Sequence, residues 1–367
     1  LGHLINIPGW RTRRKIVVFE SDDWGAIRMP SPKVYQRLVG KGMGVESSKY
    51  DAYDSLEKKE DIEALTDILN KVTDSRGNTG VFTTNMVMGN PEFEKIKDAG
   101  FQEFHHDYFL DSYQNLYGQD LEALWNKSIK EKLLFPQFHA CEHLNVPLWM
   151  KDLSAGHEAT RLAFQHGFYG LKTKTSSPYQ TNYLAAYRAE DTKERSTMVA
   201  HIKKGLKLFE RAFGFQSRTF IACNYVWPQE LEELLLPEGV KVFQSQRAQL
   251  DPRIEAGGKL KVRRKYTGQK NSHGQLFTVR NVRFEPFLRK AVEEEVDSAL
   301  AEIKRSFLWR KPAVISSHRI NYVSQMSVKH RDHNLFALRA LLNRLVKTYP
   351  DIEFMHSDAL HTVMNSR

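Results

Sequence analysis

Hydrophobic positions follow two alternating periods along the chain. Short runs rich in β-branched and aromatic residues, typical of buried strands, occur at 15–19, 79–84, 133–138, 219–222, 240–243, 312–316 and 351–355, with a further apolar segment at 101–104. Between them, apolar residues recur at helical spacing within 62–72, 121–129, 147–165, 202–213, 296–307 and 335–345, and further helices are expected from Pro91 and from Ser357 onward. The pattern predicts an α/β fold in which strands and helices alternate.

This alternation indicates parallel βαβ units, arranged either as an open doubly wound sheet or as a barrel. No linker or internal repeat divides the 367 residues, so we expect one domain over 1–367. Two insertions interrupt the pattern: a surface excursion around 172–196 without a steady period, and a glycine-containing hairpin around 251–281. In both architectures active sites gather at the carboxyl ends of the strands.

Three predicted strand ends carry reactive side chains. Asp22 and Asp23 follow the first strand, His139 and His143 follow a middle one, and His318 follows a late one. Neighbouring side chains on a strand face opposite sides, so the two aspartates can do different work. Taken alone, the same aspartates are also typical of a helix cap or a turn.

Two histidines four residues apart on one turn can converge on a metal ion, and imidazole suits zinc and related divalent ions. An aspartate would be a natural third ligand, and three ligands with an open position are typical of a catalytic site. Cys141, between the histidines, is interpreted as a small buried hydrophobe, with metal ligation or thiol reactivity as alternatives. His105-His106-Asp107 is a reserve polar cluster.

Composition narrows the classes of function. The chain is 41% hydrophobic and 27% charged, which is typical of a soluble globular protein, and no apolar run is long enough to span a bilayer. A net charge of +10 favours anionic partners such as an acidic polysaccharide, but the basic segment 259–270 lacks a nucleic-acid module, so no nucleic-acid partner is expected. Only four apolar residues follow the basic segment 11–15, too few for a signal peptide. Two cysteines exclude a disulfide framework. The compartment stays open, either cytoplasmic or exported after loss of a leader, and so does the oligomeric state.

These residues resemble the polysaccharide deacetylases with a NodB-type domain, also called carbohydrate esterase family four. The family's first motif, Thr-Phe-Asp-Asp-Gly, is similar to 20–25 with Trp24 inserted before the glycine. The second, His-Ser/Thr-x-x-His, matches the histidine spacing of 139–143, and the late Leu-His motif is similar to 315–318. The resemblance implies a distorted (β/α) barrel of about seven parallel strands.

By the same resemblance, Asp23, His139 and His143 bind a divalent metal, Zn²⁺ in the first place and Co²⁺, Ni²⁺ or Mn²⁺ as alternatives. Asp22 is the implied general base and His318 the general acid. The implied reaction is removal of an N- or O-linked acetyl group from a carbohydrate. The alternatives are hydrolysis of another C–N bond, of the cyclic amide type, on the same fold, and a catalytically silent carbohydrate-binding protein.

The sequence departs from the family in its third and fourth motifs. Around 220–225, where Arg-x-Pro-Tyr is expected, only Tyr225 fits, and the arginine that normally orients the base is missing. Arg28 and Arg280 are the candidate replacements. Tyr225 is also a candidate to hold the oxyanion through its backbone N–H, and the aromatic residues near the strand ends are candidates to stack on sugar rings, namely Trp24, Tyr225, Trp227 and Tyr322.

Overall fold

The computed structural model describes residues 3–288 and 291–366. The strands are β1 (Lys15–Trp24), β2 (Phe82–Val87), β3 (Gly89–Pro91), β4 (His106–Tyr108), β5 (Leu134–Ala140), β6 (Thr219–Ile221), β7 (Val242–Ser245), β8 (Ala248–Arg253), β9 (Lys259–Arg264), β10 (Leu276–Val279), β11 (Val282–Arg283), β12 (Ala313–His318) and β13 (Ile352–Met355). The helices are α1 (Pro32–Gly40), α2 (Lys49–Tyr53), α3 (Lys59–Asn70), α4 (Phe93–Asp98), α5 (Phe109–Tyr117), α6 (Glu122–Lys130), α7 (Val146–Ser154), α8 (Glu158–Phe164), α9 (Thr192–Phe213), α10 (Leu231–Leu234), α11 (Val292–Leu308), α12 (Val328–Thr348) and α13 (Ser357–Asn365).

The main sheet is an incomplete parallel barrel. Its continuous path runs β10-β7-β6-β5-β2-β1-β12-β11, and β13 pairs with the beginning of β1. The eight strands of the path curve through 261°, and helices such as α6, α9 and α11 pack against the strands. The predicted distorted (β/α) barrel is confirmed, with eight strands in the path where about seven were expected.

β1 lies at the centre of this sheet and is buried on both faces, which explains its unbroken apolar run. Val17 and Phe19 belong to the large hydrophobic core. Ile16 and Val18 pack instead with side chains of β7, β10, β12 and α13. Because β1 and β7 are not neighbours in the sheet, this second cluster fills the barrel interior at the amino ends of the strands.

The inner face of β1 changes from apolar to polar along the strand. Side chains alternate with a period of two, so Glu20 and Asp22 follow Ile16 and Val18 on the same face. All four are buried. The barrel interior is therefore apolar at one end and ionic at the other, and the ionic end is where the carboxyl ends of the strands meet.

Several predicted helices and strands differ in their boundaries from those of the structure. The helix expected over 147–165 is two helices, because Gly156 takes a φ of +74° between α7 and α8. Pro91 ends β3, so the helix expected from it begins at Phe93. The segment 101–104 contains no strand. Its apolar residues serve side-chain packing outside regular structure, with Phe101 on Phe164 and Phe104 on Trp149.

The two predicted insertions are also placed differently. The irregular segment expected over 172–196 ends earlier, because α9 begins at Thr192 with Asp191 as its N-cap. In the region 251–281, β8 and β9 form the expected antiparallel hairpin over 248–264. β10, however, returns to the barrel as a parallel strand beside β7. Arg280 follows β10 directly and so stands at a strand end.

Candidate active site

The carboxyl ends of β1, β5 and β12 open into one cavity of about 210 Å³. The two aspartates and three histidines singled out in the sequence all line it. The full lining is Asp22, Asp23, Arg28, Tyr50, His139, His143, Leu184, Ala222, Asn224, Tyr225 and His318. Residues from three distant segments therefore share one solvent-accessible site.

A β-bulge turns Asp23 into this cavity. The register of β1 against β2 shifts between Ser21 and Trp24, and Asp23 has a φ of +77°. That left-handed conformation is uncommon for residues other than glycine, but aspartate is enriched in it. The expectation that Asp22 and Asp23 face opposite sides is therefore wrong. Both carboxylates line the cavity, and they differ in the partners they meet.

Asp23 faces both histidines of the middle strand end. Its Oδ1 atom lies 3.5 Å from His139 Nε2 and 3.4 Å from His143 Nε2. The Nδ1 atom of His139 lies 2.8 Å from the carbonyl oxygen of Ile221, to which it donates when Nε2 is the free nitrogen. His143 Nδ1 is buried without a hydrogen-bond partner among the described residues.

Cys223 brings a thiol to the same point. Its Sγ atom lies 3.7 Å from His139 Nε2, and donor atoms of Cys223, His139 and His143 all lie within 4.8 Å of one another. Burial raises the pKa of the Cys223 thiol, but the two neighbouring imidazoles outweigh burial and hold the pKa below its ordinary value. Two imidazoles, a carboxylate and a thiol form a donor set that fits a zinc-like divalent ion.

Asp22 is held by a guanidinium rather than by the histidines. Arg280 donates from Nη1 to Oδ2 and from Nη2 to Oδ1 of Asp22, both at 2.6 Å. Arg280 Nε donates to Glu20 Oε2 at 2.8 Å, and Asn85 Nδ2 donates to Asp22 Oδ1 at 2.7 Å. Burial raises the pKa of Asp22, but Arg280 outweighs burial and lowers it. Asp22 is therefore an oriented, ionised carboxylate.

His318 lies between two carboxylates. Its Nδ1 atom lies 2.5 Å from Glu285 Oε1, and its Nε2 atom lies 3.7 Å from Asp22 Oδ2. Burial lowers the pKa of His318, but the Glu285 carboxylate outweighs burial and raises it to about 9. Asn321 Nδ2 donates to the other oxygen of Glu285 at 2.7 Å. His318 is therefore an imidazolium at neutral pH.

The second candidate arginine has a different partner. Arg28 lines the cavity, but its guanidinium pairs with Asp51 through Nε and Nη2, both at 2.8 Å. Arg280, not Arg28, contacts Asp22. Arg28 thus adds a paired cation to the lining of the cavity.

Most aromatic candidates are not at the cavity surface. Trp24, Trp227 and Tyr322 are fully buried, so they have the core role that is the more common one for aromatic residues and do not offer a stacking surface for sugar rings. The indole of Trp24 points away from the cavity, packs edge-on against Trp125 and donates to Ser21 Oγ. The bulge at Asp23 explains this, since it turns the following residue into the core.

Tyr225 lines the cavity, but its backbone N–H, the predicted oxyanion donor, has a partner within the protein. Its backbone N–H donates to the carbonyl oxygen of Ala222 at 2.9 Å, so it is already used. The tyrosine hydroxyl accepts a hydrogen bond from Arg280 Nη1 at 3.0 Å. Tyr225 therefore contacts the arginine that holds Asp22.

Sequence reasoning missed three residues of the site. Cys223 stands two residues before Tyr225 in the altered third motif, and Tyr50 comes from α2, which carries no strand-end signal. Glu285 follows β11 by two residues. An acidic residue just after a strand was a usable signal for Glu285, but β11 is only two residues long and has no recognisable strand pattern.

No protein-family model matches the sequence, and no curated protein matches it either. Solved structures do resemble it in fold. A Mycobacterium smegmatis protein assigned as a polysaccharide deacetylase is 8% identical over 98% of this chain and 93% of that one, with a TM-score of 0.47. One from Pseudomonas aeruginosa PAO1, assigned likewise, is 8% identical over 95% and 90%, with a TM-score of 0.47. Puue allantoinase is 7% identical over 95% and 90%, with a TM-score of 0.43.

At these identities the similarity concerns the fold alone. Two of these structures are described as polysaccharide deacetylases and one as an allantoinase. Among the residues described, no helix is both long enough and apolar enough to cross a membrane.

Proposed function

We propose that this chain is a metal-dependent hydrolase that removes an acetyl group from a carbohydrate, with residues 1–367 forming one catalytic domain. One observation carries the proposal. A zinc-type donor set lies beside an ionised carboxylate and a protonated imidazole in the same open cavity. Deacetylation needs these three kinds of group: a Lewis acid, a base for water and an acid for the leaving group.

Asp23, His139 and His143 would hold the ion. A bound divalent ion supplies Lewis-acid stabilisation of the acyl oxygen and lowers the pKa of water to about 7. Three protein ligands leave one coordination position of the ion open, as is typical of catalytic zinc sites. That position would take water or substrate. Zn²⁺ is the first choice for this mixed nitrogen and oxygen set.

Asp22 accepts the proton of the attacking water. Arg280 keeps the carboxylate ionised and fixes its plane, so that proton transfer requires no reorientation of the base. His318 then gives its Nε2 proton to the departing amine or alcohol. The 3.7 Å separation of His318 Nε2 from Asp22 Oδ2 supports these roles, because an acid and a base that serve one reacting centre must lie close together.

The substrate is proposed as an acetylated sugar, with acidic polysaccharides included because Arg28 stands at the cavity rim and the chain carries a net charge of +10. The test is an acetate-release screen on zinc-loaded protein, with neutral and acidic acetylated sugars and with cyclic amides as the second substrate class. Acetate release supports the proposal. Turnover of cyclic amides alone would replace it with the rival hydrolase, and glycan binding without turnover would replace it with a binding protein.

Two variants test the assigned roles. Asp22→Asn should abolish turnover while the zinc stays bound, because Asp22 is not a proposed ligand. His139→Ala should lose the zinc of the active-site cavity together with turnover. His333→Ala, at an exposed position on α12, is the matched control and should keep both. Retained zinc in the cavity of His139→Ala would overturn the ligand assignment.

A further inference from the structure

The turn that carries His139 and His143 also presents two donors in the opposite direction. Cys141 and Glu142 stand between the histidines, yet neither lines the active-site cavity. They meet His106 of β4 and His201 of α9 behind it. We call these four residues the rear cluster: His106, Cys141, Glu142 and His201.

The donor atoms of the rear cluster converge. Ligand atoms of His106, Cys141 and Glu142 all lie within 4.8 Å of one another. Cys141 Sγ lies 3.3 Å from Glu142 Oε1 and 3.8 Å from His106 Nδ1, and that nitrogen also contacts Glu142 Oε1. His201 Nδ1 lies 2.8 Å from the other carboxylate oxygen of Glu142. Thiol, imidazole and carboxylate thus face a common centre.

The cluster is largely closed to solvent. Only 2% of Cys141 is exposed, and the side chains of Glu142 and His106 are 2% and 8% exposed. A cavity of about 10 Å³ borders Cys141, Glu142 and His201, but not His106. A thiol, an imidazole and a carboxylate brought together in a closed site are donor types that zinc binds.

We propose that the rear cluster binds a second divalent ion of the zinc class through His106 Nδ1, Cys141 Sγ and a Glu142 carboxylate oxygen. His201 holds the remaining oxygen of Glu142 and so orients that ligand from outside, as outer partners of metal ligands commonly do. The ion would tie β4 and α9 to the turn after β5. Because that turn also carries His139 and His143, the second ion fixes the position of the catalytic histidines.

The test counts zinc in the full chain. Protein stripped with a chelator is reloaded with Zn²⁺ alone, freed of excess ion and analysed for zinc per chain. The parent should hold two ions, and His106→Gln and Cys141→Ser should each hold one. His105→Gln is the matched control, because His105 is adjacent in sequence but lies outside the cluster, with its imidazole 3.8 Å from Glu103. This variant should hold two ions.

The two metal sites are separated by comparing variants. His139→Ala should hold one ion, and His139→Ala combined with His106→Gln should hold none. A parent with a single ion that His139→Ala loses and His106→Gln keeps would overturn the second site while leaving the proposed function intact. A single ion that His106→Gln loses and His139→Ala keeps would establish the rear site and refute the catalytic one. If Cys141→Ser does not fold, His106→Gln decides between the outcomes. His106 lies on β4, which belongs to a two-stranded sheet outside the barrel, so we expect its substitution to be tolerated better.

Discussion

His318 is bound through Nδ1 to Glu285 at 2.5 Å, which leaves its Nε2 atom directed at Asp22. The two contacts divide the imidazole into an anchored nitrogen and a reactive one. Glu285 also sets the charge state, because its carboxylate raises the pKa of His318 to about 9. A general acid must be protonated to act, so its activity is lost as the pH rises through that value.

Glu285→Gln should therefore move the alkaline limb of the pH profile. Removing the carboxylate removes the interaction that raises the pKa of His318, so the limb in kcat/KM should shift from about 9 towards the ordinary value of about 6.5 or below. The measurement is kcat/KM against pH on the best substrate of the screen. The control is Glu302→Gln on α11, which removes a carboxylate bonded to a backbone N–H and should leave the alkaline limb in place. An unmoved limb in Glu285→Gln would contradict the role of Glu285 in raising the pKa of His318.

Arg280→Lys should separate charge from geometry. The ammonium keeps a positive charge but cannot bond both oxygens of Asp22 and also Glu20, so we expect kcat to fall about 10²-fold with a smaller change in KM. Arg280→Met leaves two buried carboxylates unpaired and should lower the free energy of unfolding by about 3–5 kcal/mol. Kinetics and denaturant unfolding measure the two effects.

The control for the arginine variants is Arg344→Met. Arg344 pairs with Asp297 at an exposed position where both side chains are about half exposed or more, and such pairs contribute about 0–1 kcal/mol. Unchanged kinetics in Arg280→Lys would mean that Asp22 needs no fixed orientation.

Cys223→Ala should keep the zinc of the active-site cavity. The proposed ligand is Asp23, whose oxygen faces both imidazoles, and a catalytic ion needs an open position that a bound thiolate would fill. Zinc per chain should match the parent in Cys223→Ala and fall by one in Asp23→Ala. The reverse result would make Cys223, instead of Asp23, the third ligand.

Gly205→Ala should destabilise the protein although alanine favours helices. A Cβ atom on Gly205 of α9 would lie 2.8 Å from both Cys141 Cβ and Phe138 Cε2, so overpacking should cost about 1–3 kcal/mol in denaturant unfolding. Gly40→Ala on α1 is the matched control, because nothing lies within 4 Å of its added Cβ. It should raise stability by about 0.5–1 kcal/mol; a stabilised Gly205→Ala would contradict the close packing of α9 on β5.

Local patterns predicted the architecture because seven buried strands each read as a short apolar run, namely β1, β2, β5, β6, β7, β12 and β13. They also predicted that Asp22, Asp23, His139, His143 and His318 would meet, since parallel strands end on one side. The direction of the Trp24 side chain could not be predicted from local patterns. Its direction depends on one extra residue in β1, and a bulge leaves no reliable mark on composition.

Long-range partners were equally out of reach. Arg280 and Asp22 are 258 positions apart, and β10 looked like part of a surface hairpin because several glycines precede it. Glu285 is fixed by Asn321 of the loop after β12, a contact that only the folded barrel creates. Sequence periodicity reports which face of an element is buried, but it does not report which distant side chain lies across from it.

The position of Arg280 has a consequence for searching by sequence. The resemblance places the guanidinium that orients the base in the third motif, whereas the guanidinium that bonds both oxygens of Asp22 stands at the end of β10. Chains with the same arrangement of aspartate, arginine and histidines are therefore better sought by its three-dimensional geometry than by any linear motif.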